Sequence, residues 1–290
     1  MIAQQQLSLT EFVTHVYGLE RGICPDALEQ LVVAARLFER WAGRRVPIAA
    51  LDEATINRWL VSLEATEQAP RTIKNKRTAL LAAWRYAATI GYHDREPNTR
   101  RVRRIRVARP VPRCWTIEQI RRLLAAAETR PGCYYRSGIR RSRWWSAFIR
   151  TAYDTGLRLG DLLRLTTEDV QADGTIVVAQ HKTGHVHVTP PLWPATLEAI
   201  RATFPPHREL LFPWPYRREY IYDEIKIIRD AAGINTGTIK WLRRSSVSYY
   251  VRDNPGGGQA HLGHRSPGLA ERAYIDPTIS YGVRPQVPTL

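Results

Sequence analysis

The sequence predicts a mainly α-helical protein with one small β-hairpin: a helical bundle in the first half and an α+β unit in the second. Apolar residues recur at helical spacing along most of the chain. Only residues 175–179 and 185–189 are β-branched runs, and they flank a Lys-Thr-Gly turn. Between the halves lies a segment with seven arginines, two prolines and no apolar period (residues 99–113). The expected organisation is a helical unit over 1–98, a basic connector over 99–113, a second unit over 114–280 and a tail over 281–290.

In the first unit Thr10 is read as the cap of a short helix reaching about Tyr17. Pro25-Asp26 opens a second helix, with Leu28, Leu31, Val32, Ala35 and Phe38 on one face, and Gly43 stops it. Asp52 caps a third helix that turns Ile56, Trp59, Leu60 and Leu63 to one side. Pro70 begins a fourth that ends before Gly91 and buries Ile73, Leu80, Leu81, Trp84 and Ala87. Lys74, Lys76, Arg77 and Arg85 fall on its other faces.

The second unit opens with the capping box Thr116-Ile-Glu-Gln119 and a helix to about Ala127. A basic loop (136–143) precedes a helix over 144–154. After the hairpin, helical pattern resumes near Ala195 and continues over 217–232, 239–251 and 269–275. The proline-rich residues 277–290 are not expected to form a regular helix.

At 290 residues, 44% hydrophobic and 24% charged, the chain has an ordinary soluble composition, but its net charge is +16. Residues 71–113 hold 13 Lys/Arg against 2 Asp/Glu, so most of the excess sits in one helix and the connector. That distribution points to a polyanion, and double-stranded DNA is the expected partner. Candidate phosphate contacts are Arg71, Lys74, Lys76 and Arg77 on the helix, and Arg100, Arg101, Arg103, Arg104, Arg106 and Arg109 on the connector. Such contacts release counterions, so binding should weaken steeply with salt. No apolar run approaches the roughly 18 residues of a membrane helix, and residues 1–6 lack a signal-peptide core. Cys24, Cys114 and Cys133 have no ligand-like spacing and read as reduced thiols of a cytoplasmic protein. When bound to DNA it would sit on the nucleoid.

One ordered set of residues suits chemistry at a phosphodiester. A pentavalent phosphorus gathers negative charge on its non-bridging oxygens, and arginine's planar fork stabilises it there. Arg158, in Thr155-Gly-Leu-Arg158-Leu-Gly-Asp161, and Arg243, in Lys240-Trp-Leu-Arg243, are the fork candidates, with Asp161 able to hold Arg158. Lys182 at the hairpin tip can reach a leaving oxygen, and His264 in Leu-Gly-His264 can donate to phosphate. Tyr274, ten residues on, is the candidate nucleophile. Tyr281 is the competing phenol, while Tyr249 and Tyr250 read as packing residues. His181, His185, His187, His261 and His264 lack an accompanying cysteine or carboxylate set, so they read as solvent-facing neighbours of Lys182. No metal or other cofactor is expected.

These motifs resemble those of the tyrosine recombinases of the phage-integrase family over nearly the whole chain. Thr155-Gly-Leu-Arg158-Leu-Gly-Asp161 is similar to the family's first arginine box, Lys182 in His-Lys-Thr-Gly to its hairpin lysine, and Leu242-Arg243 to its second box. Leu262-Gly263-His264 is similar to its third box, and Tyr274 stands where its nucleophile stands. The resemblance implies a helical, SAM-like core-binding domain, a catalytic domain, and a clamp on DNA. It implies that Tyr274 forms a 3′-phosphotyrosyl bond, that Lys182 protonates the 5′ oxygen, and that strand exchange proceeds without metal or ATP in a tetramer on two duplexes. Lys240 occupies a position where the family most often has histidine, and ten residues rather than nine separate His264 from Tyr274. Type IB topoisomerase-like relaxation and a decayed, purely DNA-binding module are the alternatives.

Overall fold

The computed structural model describes residues 7–181, 183–203, 209–266 and 268–280, and the chain divides into two compact units, 1–109 and 110–290. Lys182, Tyr281, the rest of the tail and residues 1–6, on which the signal-peptide reading fell, lie outside the described residues.

The first unit is helical. It begins with α1 (Leu9–Phe12), a wide turn (Val13–Tyr17) and α2 (Gly18–Glu20). Ser8 rather than Thr10 caps this run, because Ser8 and Glu11 form a reciprocal capping box. There follow α3 (Pro25–Ala42), α4 (Glu53–Glu64) and α5 (Pro70–Thr89). Proline stands in the first turn of α3 and α5, where no amide partner is needed. Asp52 caps α4 by accepting from the Thr55 amide at 2.8 Å. Ile56, Trp59, Leu60, Ile73, Leu80 and Trp84 are buried in one core with Phe38, whose ring meets Trp59 edge-on at 5.2 Å. Leu28, Leu31 and Val32 are only partly buried at its margin.

The loop after α5 is tied back by Glu53, which accepts both Arg95 nitrogens at 2.7 Å and the Asn98 amide at 2.8 Å. The hydrogen bonds from Arg95, against the cost of burial, pull the Glu53 carboxyl down to about 2. Beyond it the arginine-rich segment does not run free. Val102 and Ile105 are buried in the core of this unit. Asn57 of α4 donates to the Arg101 carbonyl at 2.9 Å and accepts the Arg103 amide at 2.7 Å. Arg77 of α5 donates to the carbonyls of Arg103 at 2.8 Å and Val102 at 3.3 Å. Two buried apolar side chains and four backbone bonds therefore fix residues 101–105, and Arg100, Arg101, Arg104 and Arg106 are left exposed.

The second unit packs around α7 (Arg141–Thr155), which crosses α6 (Ile117–Glu128). Trp144, Trp145 and Phe148 of α7 are fully buried with Trp115, Phe212 and Leu242. The helix starts at Arg141, three residues earlier than its apolar pattern suggests, and Arg141 pairs with Glu224 at 3.0 Å. A short α8 (Leu159–Leu162) leads to the hairpin of β1 (Val177–Ala179) and β2 (Val186–Val188), antiparallel with Val178 opposite His187. Then come α9 (Pro194–Thr203), α10 (Glu219–Ala231), α11 (Ile239–Asp253), α12 (Gly258–His261), α13 (Leu269–Ala273) and α14 (Pro277–Ser280). The last is a correction: residues 277–280 form a helical turn against α11, because Asp276 caps it. Among the described residues no helix is long and apolar enough to cross a membrane.

Removing the Asn57 amide should release the arginine segment from α4. Asn57→Ala is expected to lose roughly 1–2 kcal/mol of unit-1 stability, the net worth of two hydrogen bonds, and to accelerate tryptic cleavage within residues 100–106. Urea unfolding and timed trypsin digestion check this. Unchanged digestion would mean that Arg77 alone suffices.

Candidate active site

Three turns of the second unit converge. The first ends α7: Gly156 adopts a left-handed conformation (φ 60°), where a side chain would be strained and would meet Leu262, Ser246 and His261 at 3.0–3.2 Å. This turn exposes the Gly156 carbonyl and sets Arg158 at the start of α8 in extended geometry. Arg158 donates to the amide oxygen of Gln180 at 2.7 Å. Asp161 faces the same guanidinium at a longer 3.8 Å, while its other oxygen accepts the His181 amide at 2.9 Å. Asp161 thus fastens α8 to the hairpin at His181.

The second turn belongs to α11, which carries Lys240 near its start and Arg243 one turn on. Arg243 is buried, at 4% exposure. Its guanidinium donates to the carbonyl of Gly156 with a very short bond, to that of Leu262 at 3.3 Å, and to Nε2 of His264 at 3.0 Å. Burial, followed by the charge of Arg158, lowers Arg243 to about 10, so it stays cationic at neutral pH.

The third turn follows α12. Gly263 is left-handed (φ 60°), and a Cβ there would lie 2.5 Å from Gln180 Nε2 and 2.8 Å from the His187 ring. Only glycine lets this turn sit against the hairpin. Because arginine can only donate, Nε2 of His264 must carry the lone pair, which leaves the proton on Nδ1. That Nδ1 is buried and unpartnered. Burial and then Arg243 hold His264 down to about 4. A neutral imidazole therefore packs between Arg243 and the Tyr274 ring.

Tyr274 completes the group. Its ring centroid lies 5.0 Å from the Arg243 guanidinium carbon, 5.3 Å from Lys240 Nζ and 5.2 Å from the His264 ring. Burial raises the phenol, but the charges of Arg243, Lys240 and Arg158 outweigh it, and its acidity is increased overall. Ala270, Ile275, Leu262 and Val247 form a small apolar cluster beneath it. Asp276, 3% exposed, pins the segment: it accepts the Cys114 amide at 3.2 Å, and its own amide donates to Ser248 of α11 at 2.8 Å.

Of the residues singled out in the sequence, Arg158, Asp161, Lys240, Arg243, His264 and Tyr274 gather here. Lys182 lies outside the described residues; next to it the Gln180 carbonyl accepts the Thr183 and Gly184 amides at 3.1 and 2.8 Å. The histidines need correction. His187, His261 and His264 are buried, not solvent-facing, because the Leu-Gly-His turn covers the inner face of the hairpin. His261 bonds Ser246 at 2.7 Å and stacks on Tyr250 at 4.3 Å. Tyr249 accepts the Ile117 amide at 3.0 Å. Gln180, Asp276 and Ser248 carried no role in the sequence, for their partners lie far along the chain. In the first unit Lys74, Arg77 and residues 99–105 line a basic concavity of about 800 Å³. There Arg77 is spent on backbone carbonyls, Lys76 bonds the Gln68 side chain, and Arg103 pairs with Glu64 at 2.7 Å. Arg71 and Lys74 are exposed on α5, and Arg109 is exposed at the end of the unit.

The family model described as Phage integrase family matches residues 114–279. The chain belongs to the phage integrase family. Tyrosine recombinase XerD of Caulobacter vibrioides is 28% identical to this integrase-family chain over 151 residues, 52% of the chain and 47% of XerD. The chain thus matches about half the length of that curated relative. Among solved structures, a lambda integrase dimer bound to a COC′ core site has a TM-score of 0.73 at 19% identity, covering 99% of this chain and 82% of that one. A lambda integrase tetramer bound to a Holliday junction has 0.73 at 20%, covering 98% and 81%. XerH recombinase bound to palindromic difH substrate has 0.64 at 17%, covering 87% and 76%. These likenesses establish the fold.

The buried histidines give stability a pH dependence. His261 and His264 are both held near 4, against an ordinary 6.5, chiefly by burial. The unfolded chain takes up their protons near pH 6.5 and the folded chain only near 4. Stability is therefore greatest above pH 6.5 and falls as pH drops toward 4, by up to roughly 3 kcal/mol per histidine. Urea midpoints should decline between pH 7.5 and 5, and His261→Gln should flatten the decline. Equal midpoints at both values would contradict the assignment.

Proposed function

We propose that this chain is a site-specific DNA recombinase that cuts and rejoins strands through a 3′-phosphotyrosyl intermediate. The observation that carries the reading is a phenol made more acidic by Arg243, Lys240 and Arg158, in ring contact with a neutral imidazole bonded to Arg243. Arg158 and Arg243 hold the non-bridging oxygens of one phosphate, with His264, by the resemblance, as a further donor to one of them. Two fixed cations and a neutral donor favour the pentavalent state, where charge on those oxygens is greatest. Tyr274 gives up its phenolic proton to solvent, and its oxygen forms a bond to phosphorus as the bond from phosphorus to the 5′ oxygen breaks. The departing oxygen takes a proton, a role assigned to Lys182 by the resemblance, and leaves as a 5′ hydroxyl.

A 5′ hydroxyl from a partner duplex then attacks the phosphotyrosine and releases the phenol. One phosphoester replaces another at each step, so neither metal nor ATP is needed to balance it. The exposed arginines of the first unit supply sequence-independent phosphate contact. Exchange between two duplexes calls for a tetramer, and the expected setting is the cytoplasm, on nucleoid DNA.

Tyr274→Phe should abolish the covalent DNA adduct on a denaturing gel and leave gel-shift binding unchanged. An adduct that survives this change and vanishes with Tyr281→Phe would move the nucleophile. With a two-site plasmid, recombinant circles support the reading, whereas loss of supercoils alone would favour topoisomerase-like relaxation.

Lys240→His should retain cleavage, because an imidazole at the same helix position reaches the same phosphate. Complete loss of adduct with DNA binding intact would argue against Lys240 standing in for that histidine.

A further inference from the structure

Gln180 is the last residue before the lysine turn, uncharged and fully buried, and no part of the chemistry above uses it. Its side chain nevertheless bonds Arg158, the turn after it and the Leu-Gly-His turn. Oε1 accepts from Arg158 Nη1 at 2.7 Å and from the Thr183 hydroxyl at 3.3 Å. Nε2 donates to the Leu262 carbonyl at 3.1 Å, the same oxygen that accepts Arg243 Nη2 at 3.3 Å. Its backbone amide donates to His185, and its carbonyl closes the turn at Thr183 and Gly184. The approach is possible because Gly263 has no Cβ: one there would fall 2.5 Å from Nε2. A primary amide has an acceptor and a donor on adjacent atoms, and this position uses both.

We propose that Gln180 is a positioning residue that sets the reach of Arg158 and joins the lysine turn, both arginines and the Leu-Gly-His turn into one frame. Asp161 was the residue expected to orient Arg158, yet its carboxylate stands off at 3.8 Å, so the direct bond is the amide's. A guanidinium has five donors in a fixed plane, and fixing one of them sets the direction in which the rest point. Without the amide, Arg158 keeps its charge but loses its angle. Fork geometry matters most in the transition state, so the loss falls on strand cleavage rather than on binding.

The proposal rests on the recombinase reading, and one assay separates the two. Single-turnover adduct formation is followed on a nicked duplex containing one recombination half-site, beside half-site affinity and thermal unfolding. Gln180→Met fills similar space without either hydrogen bond. It should lower the cleavage rate ten- to a hundredfold with affinity within threefold of wild type. The rising limb of its pH–rate profile should move alkaline, because a displaced Arg158 favours the phenolate less. Gln180→Glu keeps an acceptor for Arg158 and should recover part of the lost rate. Equal rates in wild type and both variants would overturn the proposal. So would equal impairment of both variants with an unmoved profile, which would make Gln180 a packing residue only. Absence of adduct from the wild type would overturn the recombinase reading and this proposal with it, whereas an adduct formed equally well by Gln180→Met overturns this proposal alone.

Discussion

A guanidinium removed from water is the constraint around which the second unit is built. Burying an unpaired cation costs several kcal/mol, so Arg243 must find acceptors inside the protein. It finds the carbonyls of Gly156 and Leu262 and the lone pair of His264. Each acceptor imposes a demand of its own. The two carbonyls are available because two glycines adopt left-handed turns in places where a side chain would collide with neighbours. The imidazole must stay neutral, which burial and the adjacent cation enforce. The charge of Arg243 then reaches the phenol of Tyr274, where together with the charges of Lys240 and Arg158 it outweighs the penalty of partial burial.

Local signals carried most of the fold. Proline at the start of α3 and α5, Asp52 before α4, Thr116 and Gln119 around α6, and glycine after α3 and α7 are terminators and caps whose physics acts within four residues. The hairpin was legible for the same reason: β-branched alternation and a Gly184 turn are local. The one displaced cap, Ser8 instead of Thr10, shows the limit, since both residues can accept an amide and the reciprocal partner Glu11 selects between them.

The site was legible only where a residue's chemistry is unusual in itself. Arginines, a lysine, a histidine and a tyrosine in fixed order stand out, whereas an amide such as Gln180 does not. Its importance comes from residues 22 positions before and 82 after it, and such contacts leave no periodicity. Burial of His187 was missed for a related reason. Its strand alternates as expected, but the covering surface is the turn after α12, far along the chain. The arginine segment was read by charge alone, and charge conceals Val102 and Ile105, the two residues that fold it onto its own unit.

The fastening of Asp276 to Cys114 and Ser248 ties the segment that carries Tyr274 to two distant stretches of its own chain. The spacing between the Tyr274 ring and Arg243 is therefore kept by a buried carboxylate that belongs to neither of them, two residues past the phenol.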